Sequence, residues 1–152
     1  TLLRSLAMAV AAGSKEFLGF TMNVYRRRAV YVATEDDEAA ISALMHRQIA
    51  ELGTSSADYA TLDFIFETEN LLEALDKTLT DAPADLVVID AFADLYTGPM
   101  NENNRVRSYL NNYSQLAQKH QTLFLFLHHT GERQIAESLG YKSHTAVYQM
   151  LK

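Results

Sequence analysis

Three runs of apolar residues in this chain each stop abruptly at polar ones: residues 29–34, 86–89 and 123–127. The runs are rich in valine, leucine and aromatic residues. Continuous apolar runs of about four to eight residues are typical of strands that are buried on both faces, as in a parallel sheet. The pattern therefore predicts three buried strands that run parallel to one another.

The polar residues that follow these runs are the first candidates for chemistry: Glu35, Asp90, and the adjacent pair His128 and His129. The carboxyl ends of parallel strands meet at one edge of a sheet, and ligands of open α/β sheets bind beyond that edge. We therefore expect these side chains to share one edge. Acids and imidazoles placed together indicate chemistry on a charged substrate, with a divalent metal ion.

Apolar residues elsewhere recur at helical spacing and predict four helices: residues 2–12, 37–52, 69–79 and 102–120. A further short strand is predicted over residues 62–66. Gly13 and Gly53 are suited to end the first two helices, while Asp36 and Asp37 suit the positive N-terminal end of the second. Strands near 85–89 and 122–127 complete an alternation of strands and helices. This alternation predicts an α/β fold with a parallel sheet flanked by helices.

Composition narrows the class of protein. The chain has 152 residues, is 48% hydrophobic and contains no cysteine. This is enough for one domain with a core, and it excludes disulfides and thiolate metal sites. No apolar run approaches the roughly 20 residues that cross a bilayer, and no signal-peptide pattern is present. A cytoplasmic protein with no membrane partner is expected.

Charge bears on possible nucleic-acid partners. The formal net charge of −6 argues against a surface that coats duplex DNA. It leaves open a local patch, or the lumen of an oligomer. The three consecutive arginines at residues 26–28 are predicted to be solvated charges that flank the first strand.

The two acids each have a functional and a structural interpretation. Asp90, at the tip of a buried strand, could hold Mg²⁺ directly or through water; the alternative is an ordinary turn residue at a strand end. Glu35 could orient or polarise an attacking water. Alternatively, Glu35 belongs to the cluster of acids at a helix N-terminus, an interpretation that already accounts for Asp36 and Asp37.

The histidine pair is the sharpest local feature. Adjacent side chains at a strand end diverge, so His128 and His129 are poorly placed to bind one metal ion together. One imidazole could instead hydrogen-bond a terminal phosphate while the other packs or orients it. A purely structural role for both is the alternative.

Four segments, taken in order, resemble the RecA-like P-loop ATPases, specifically the hexameric replicative-helicase-like group typified by the plasmid RepA helicase. Residues 1–20 resemble the helix that follows the phosphate loop, and residues 30–36 the strand that ends in the catalytic glutamate. Residues 86–90 are similar to the Walker B strand, and residues 123–131 to the strand that bears the phosphate-sensing residue.

The resemblance implies an ATP hydrolase that uses Mg²⁺ and is coupled to DNA, such as a replicative helicase or a mobile-element replication protein. Asp90 would serve Mg²⁺, Glu35 would activate water, and His128 or His129 would sense the terminal phosphate. The implied assembly is a homo-oligomer, such as a hexameric ring around single-stranded DNA.

The motif G-x-x-x-x-G-K-[ST] is absent from the sequence. By the resemblance, Thr1 directly follows that motif and would contact nucleotide together with Glu35 and Asp90. We therefore expect residues 1–131 to be a partial ATPase core, with the phosphate loop and first strand upstream.

The composition shifts after Gly131, where residues 132–152 read as a helix-turn-helix similar to that of winged-helix repressors of the SOS system. The second helix is predicted to run from about Ser143 to Lys152. The polar residues at its leading end are candidate DNA contacts: Lys142, Ser143, His144 and Thr145. The alternative is a packing element. A rival function follows, namely a non-catalytic DNA-binding regulator on an ATPase-like scaffold.

Overall fold

The computed structural model describes residues 2–129 and 145–150. The strands in these ranges are β1 (Glu16–Phe17), β2 (Phe20–Thr21), β3 (Ala29–Ala33), β4 (Leu62–Ile65), β5 (Leu86–Asp90), β6 (Leu123–His129) and β7 (Thr145–Met150). The α-helices are α1 (Leu2–Ala11), α2 (Glu38–Leu52), α3 (Leu71–Asp81) and α4 (Asn103–His120). Two short 3-10 turns lie at Ser56–Tyr59 and Phe92–Asp94.

Five strands form the main sheet in the order β4-β3-β5-β6-β7. The four strands β4, β3, β5 and β6 are parallel, and β7 is antiparallel to β6. The strands β1 and β2 form a separate antiparallel hairpin. The predicted α/β fold with a parallel sheet is confirmed, and each predicted parallel strand lies within a residue or two of its observed position.

The central strands are buried because both faces of the sheet are covered. Alternate residues of β3 and β5 contribute to two separate apolar cores. One face packs against α1 and α2, through side chains such as Tyr31 and Val88. The other face packs against α3 and α4, through side chains such as Val32, Ile89 and Phe126. An uninterrupted apolar run is the sequence signature of this double coverage.

The ends of α2 match their prediction. The side chain of Asp37 accepts a hydrogen bond of 2.8 Å from the backbone N–H of Ala40, which satisfies one of the free donors of the first turn. Gly53 ends the helix with φ of 66°, in the left-handed region that glycine adopts without strain. Asp37 thus has a structural role as the N-cap of α2.

The sequence predicted that the arginines before β3 are solvated charges. The structure shows that two of them also form hydrogen bonds within the protein. The carboxylate of Asp85 accepts backbone N–H bonds from Arg26 and Arg27, at 2.9 and 2.8 Å. The guanidinium of Arg26 donates to the carbonyls of Ala84 and His120, both at 2.9 Å. Although Arg26 and Arg27 are exposed, they therefore tie the segment before β3 to the amino edge of the sheet.

The predicted second helix of the tail is wrong over Thr145–Met150, which forms the strand β7. Its register pairs Phe124 with Met150 and His129 with Thr145. This segment contains β-branched and aromatic residues, and the edge of β6 offers it backbone partners, so sheet pairing prevails over the predicted helix there. The first predicted helix and Lys142, Ser143 and His144 lie outside the described residues.

A cluster of charged side chains between α3 and α4 is predicted to make the stability of the fold depend on pH in the acid range. Asp76 accepts hydrogen bonds from Lys119 Nζ at 2.9 Å and from His120 Nε2 at 2.6 Å. These bonds, that of Lys119 foremost, lower the pKa of Asp76 below its ordinary value. A carboxyl with a lowered folded-state pKa stabilises the fold at neutral pH, and this stabilisation is lost as the pH falls below about 4.

We therefore expect Asp76→Asn to have a lower Tm at pH 7 and a shallower fall of Tm between about pH 5 and pH 2.5. Thermal unfolding followed by circular dichroism measures both. Asp81→Asn, an exposed acid at the end of the same helix, is the matched control and should keep the parent pH profile. An unchanged profile in Asp76→Asn would contradict the expectation.

Candidate functional site

The register of the sheet determines which predicted site residues come together. Ala33, Asp90 and Leu127 are aligned across the adjacent strands β3, β5 and β6. Glu35 follows Ala33 by two residues, and His128 directly follows Leu127. The structure therefore brings Glu35, Asp90 and His128 to the same carboxyl edge of the sheet.

Asp90 is held in place by a side chain of the neighbouring strand. It is half-buried, and its Oδ2 atom accepts a hydrogen bond from the hydroxyl of Tyr31 in the neighbouring strand. Tyr31 is fully buried among the side chains between the sheet and α1 and α2. The Asp90 carboxylate is therefore fixed on the α1 side of the sheet, at the strand tip. Sequence reasoning missed Tyr31, because nothing in an apolar run marks which residue reaches a neighbouring strand.

Thr34 connects the end of β3 to the segment after β5. Its backbone N–H donates to the Asp90 carbonyl at 2.8 Å, and its Oγ1 accepts from the Ala91 N–H at 2.7 Å. The Thr34 hydroxyl also donates to Asp94 Oδ2 at 2.5 Å. Sequence reasoning missed both Thr34 and Asp94. The position of Thr34 directly before Glu35 was the one available signal.

Glu35 lies in the connection between β3 and α2, and its side chain is exposed. The structure gives it a position in which a water molecule or a ligand at the sheet edge can reach the carboxylate. The cap of α2 is supplied by Asp37, so Glu35 is not needed there. Glu35 is therefore exposed at the sheet edge, two residues before the cap of α2.

His128 has a different environment. Its side chain is only 4% exposed, and its ring meets Phe92 edge-on with centroids 5.8 Å apart. Phe92 belongs to the core that packs against α3 and α4, whereas the carboxylate of Asp90 lies on the α1 side. The structure therefore brings His128 to the same edge as Asp90, on the opposite face of the sheet. His129 is the last residue of β6.

The helix α1 is oriented so that its positive, N-terminal end is directed toward the carboxyl edge of the sheet. The carbonyl of Ala11, its last residue, accepts a hydrogen bond of 3.1 Å from Thr61 Oγ1, directly before β4. The C-terminal end of α1 is thus at the amino edge of the sheet, and its N-terminal end is directed toward the carboxyl edge. Helix N-termini attract anions such as phosphates. Thr1 lies outside the described residues.

The residues at this edge fit a magnesium ion that is shared with a ligand. Among the described residues, no group of three or more histidine, aspartate or glutamate side chains could hold a metal ion alone. Mg²⁺, however, keeps several waters and is commonly bound by one or two carboxylates together with phosphate oxygens. The half-buried, fixed carboxylate of Asp90 suits that mode of binding.

One groove in the described part of the chain lies away from the acids. It has a volume of about 420 Å³ and lies along α4, where Val106 and Leu110 face Phe92 and Phe126. Neither Glu35 nor Asp90 lines it.

Among the described residues, no helix combines the length and the apolar character needed to cross a membrane. Of the predicted DNA contacts, Thr145 begins β7, and the other three lie outside the described residues.

Comparison with known proteins agrees with the fold. A family model described as an AAA domain matches residues 1–134, which is most of the chain. No curated protein matches it. Domains of this family belong to the P-loop, RecA-like superfamily, bind nucleotide and often oligomerise. The described part of the matched region contains the whole parallel sheet, and the chain therefore belongs to the AAA domain family.

Proposed function

We propose that this chain is the core of a Mg²⁺-dependent ATPase in which Asp90 serves the metal ion and Glu35 activates water. The observation that carries the proposal is the convergence of two acids on one sheet edge. Asp90 is held in place by a buried tyrosine, and Glu35 is left exposed. The positive end of α1 is directed toward the same edge, which favours a phosphate-bearing ligand there.

The roles of the acids follow from their surroundings. Bound Mg²⁺ would neutralise charge on the phosphate oxygens. Asp90 offers a carboxylate whose direction is fixed by Tyr31, so little reorganisation is needed when a metal ion binds. Glu35, exposed and outside the cap of α2, is free to accept a proton from a water that attacks the terminal phosphate.

The phosphate-sensing role falls to His128 or His129, which follow one another at the end of β6. His128 packs against Phe92 on the α4 side of the sheet.

The work that hydrolysis drives would be done on DNA, with single strands passing through a homo-oligomeric ring such as a hexamer. This part of the proposal rests on the resemblance to the RepA-type helicases, and the net charge of −6 restricts DNA contact to a local surface. The rival regulator depended on a helix-turn-helix, and its second helix is replaced by β7 over Thr145–Met150. The ATPase is therefore favoured.

The full-length protein tests the proposal directly. A fluorescent ATP analogue should bind at least about ten-fold more tightly with Mg²⁺ than with EDTA. Phosphate release should require Mg²⁺ and rise when single-stranded DNA is added. Light scattering with ATP present should report the assembly. Binding that ignores Mg²⁺ would overturn the ATPase, whereas hydrolysis unaffected by DNA would overturn only the coupling.

A further inference from the structure

One residue outside the predicted site joins the two chain segments that carry the proposed acids. Thr34 directly precedes Glu35, and its partner Ala91 directly follows Asp90. The bond between Ala91 N–H and Thr34 Oγ1, at 2.7 Å, spans 57 residues of sequence. Any shift of this bond would therefore move one acid relative to the other.

The hydroxyl of Thr34 has a defined direction. It carries one hydrogen, and the nearest acceptor is Asp94 Oδ2 at 2.5 Å, against 3.0 Å for the Asp90 carbonyl and 3.4 Å for the Ala91 carbonyl. A hydrogen bond to a carboxylate is stronger than one to a neutral carbonyl. The hydrogen is therefore directed to Asp94, and the oxygen lone pairs are left to accept from Ala91.

The acceptor comes from the 3-10 turn Phe92–Asp94, which is anchored in the core. Phe92 is 2% exposed and stacks on Tyr96, with ring centroids 5.6 Å apart. Asp94 itself is exposed, so its carboxylate is positioned by the turn. Thr34 is thus held from both sides, by a backbone donor and by an anchored acceptor.

We propose that Thr34, with Asp94 as its acceptor, is a positioning residue that sets the separation between Glu35 and Asp90. The inference rests on the proposed ATPase function. Glu35 is exposed, and its backbone is fixed to the Asp90 strand through Thr34. Since a misplacement of about 1 Å can reduce a rate about 100-fold, losing this link should slow hydrolysis more than it weakens ATP binding.

The test compares variants of the full-length protein. Thr34→Val keeps the side-chain shape and removes the hydroxyl, and it should lower kcat about 10- to 100-fold with KM within about three-fold of the parent. Thr34→Ser retains the hydroxyl and should restore kcat to within about three-fold. Asp94→Ala, at an exposed position, should lower kcat in the same direction. Thr80→Val, which removes a hydroxyl bonded to the Asp76 carbonyl in α3, should leave kcat unchanged.

Hydrogen exchange of the Ala91 amide gives a second measurement that does not depend on activity. The bond to Thr34 Oγ1 should slow this exchange in the parent and in Thr34→Ser, and exchange should be faster in Thr34→Val. A parent kcat in Thr34→Val, or an equal loss in Thr34→Ser, would overturn the proposal. So would unchanged exchange of Ala91. If the parent hydrolyses no ATP, the proposed ATPase function fails, and the exchange data alone decide whether the link exists.

Discussion

Replacing Glu35 with glutamine is expected to slow ATP hydrolysis at least about 100-fold while ATP and Mg²⁺ bind as in the parent. The amide has nearly the same shape as the carboxylate but accepts a proton poorly, so water is no longer activated. Glu35 is exposed and does not cap α2, so the fold should be unaffected. Phosphate release and binding of a fluorescent ATP analogue by the full-length protein measure the two quantities separately.

Glu38→Gln is the matched control for this substitution. Glu38 is also exposed and stands in the first turn of α2, so it shares the helix-dipole environment without lying at the end of β3. Its variant should hydrolyse ATP at nearly the parent rate. A parent rate in Glu35→Gln would remove Glu35 from the mechanism, and an equal loss in both variants would indicate a general effect of charge.

Asp90→Asn is expected to reduce the contribution of Mg²⁺ to ATP binding about 10- to 100-fold, the range typical for disturbed metal sites. The neutral amide is a weaker ligand for a hard cation. Its oxygen can still accept the hydrogen bond from Tyr31, so the strand and its packing should be retained. Titration of Mg²⁺ at a fixed concentration of the ATP analogue gives the apparent metal affinity, and a titration in EDTA gives the metal-free reference.

Asp36→Asn controls for the loss of one negative charge near the sheet edge. Asp36 is exposed, and the cap of α2 is supplied by the next residue. Its variant should keep the parent Mg²⁺ dependence. If Asp90→Asn binds Mg²⁺ and ATP as tightly as the parent does, the metal assignment is wrong.

The fold was predictable because the burial of strands and helices requires apolar residues at characteristic spacings in the sequence. Strands covered on both faces must be apolar throughout, and helices covered on one face must be apolar at helical spacing. Topology then placed Glu35 and Asp90 at one edge without knowledge of a single contact. The same physics explains the error in the tail, since the six residues of β7 are too few to separate a strand from a helix by periodicity.

Contacts between distant side chains could not be predicted in this way. The bond from Tyr31 to Asp90 spans 59 residues, and that from Thr34 to Asp94 spans 60. Both depend on the relative register of two strands, which periodicity does not specify. The face on which His128 lies was equally hidden, because an apolar run gives no sign of which residues point to which core.

The long stretch of chain between the bonded residues also determines at which stage of folding the site forms. Its Thr34–Ala91 bond joins residues 57 apart, and such non-local pairings form late because a long loop must first be closed. A partly folded chain therefore has no site, and a nucleotide that binds there binds the folded form alone. Such a ligand stabilises the fold by mass action, by about 2.7 kcal/mol when its free concentration is 100 times its Kd. The cellular supply of nucleotide would then help to determine how much of this protein survives proteolysis.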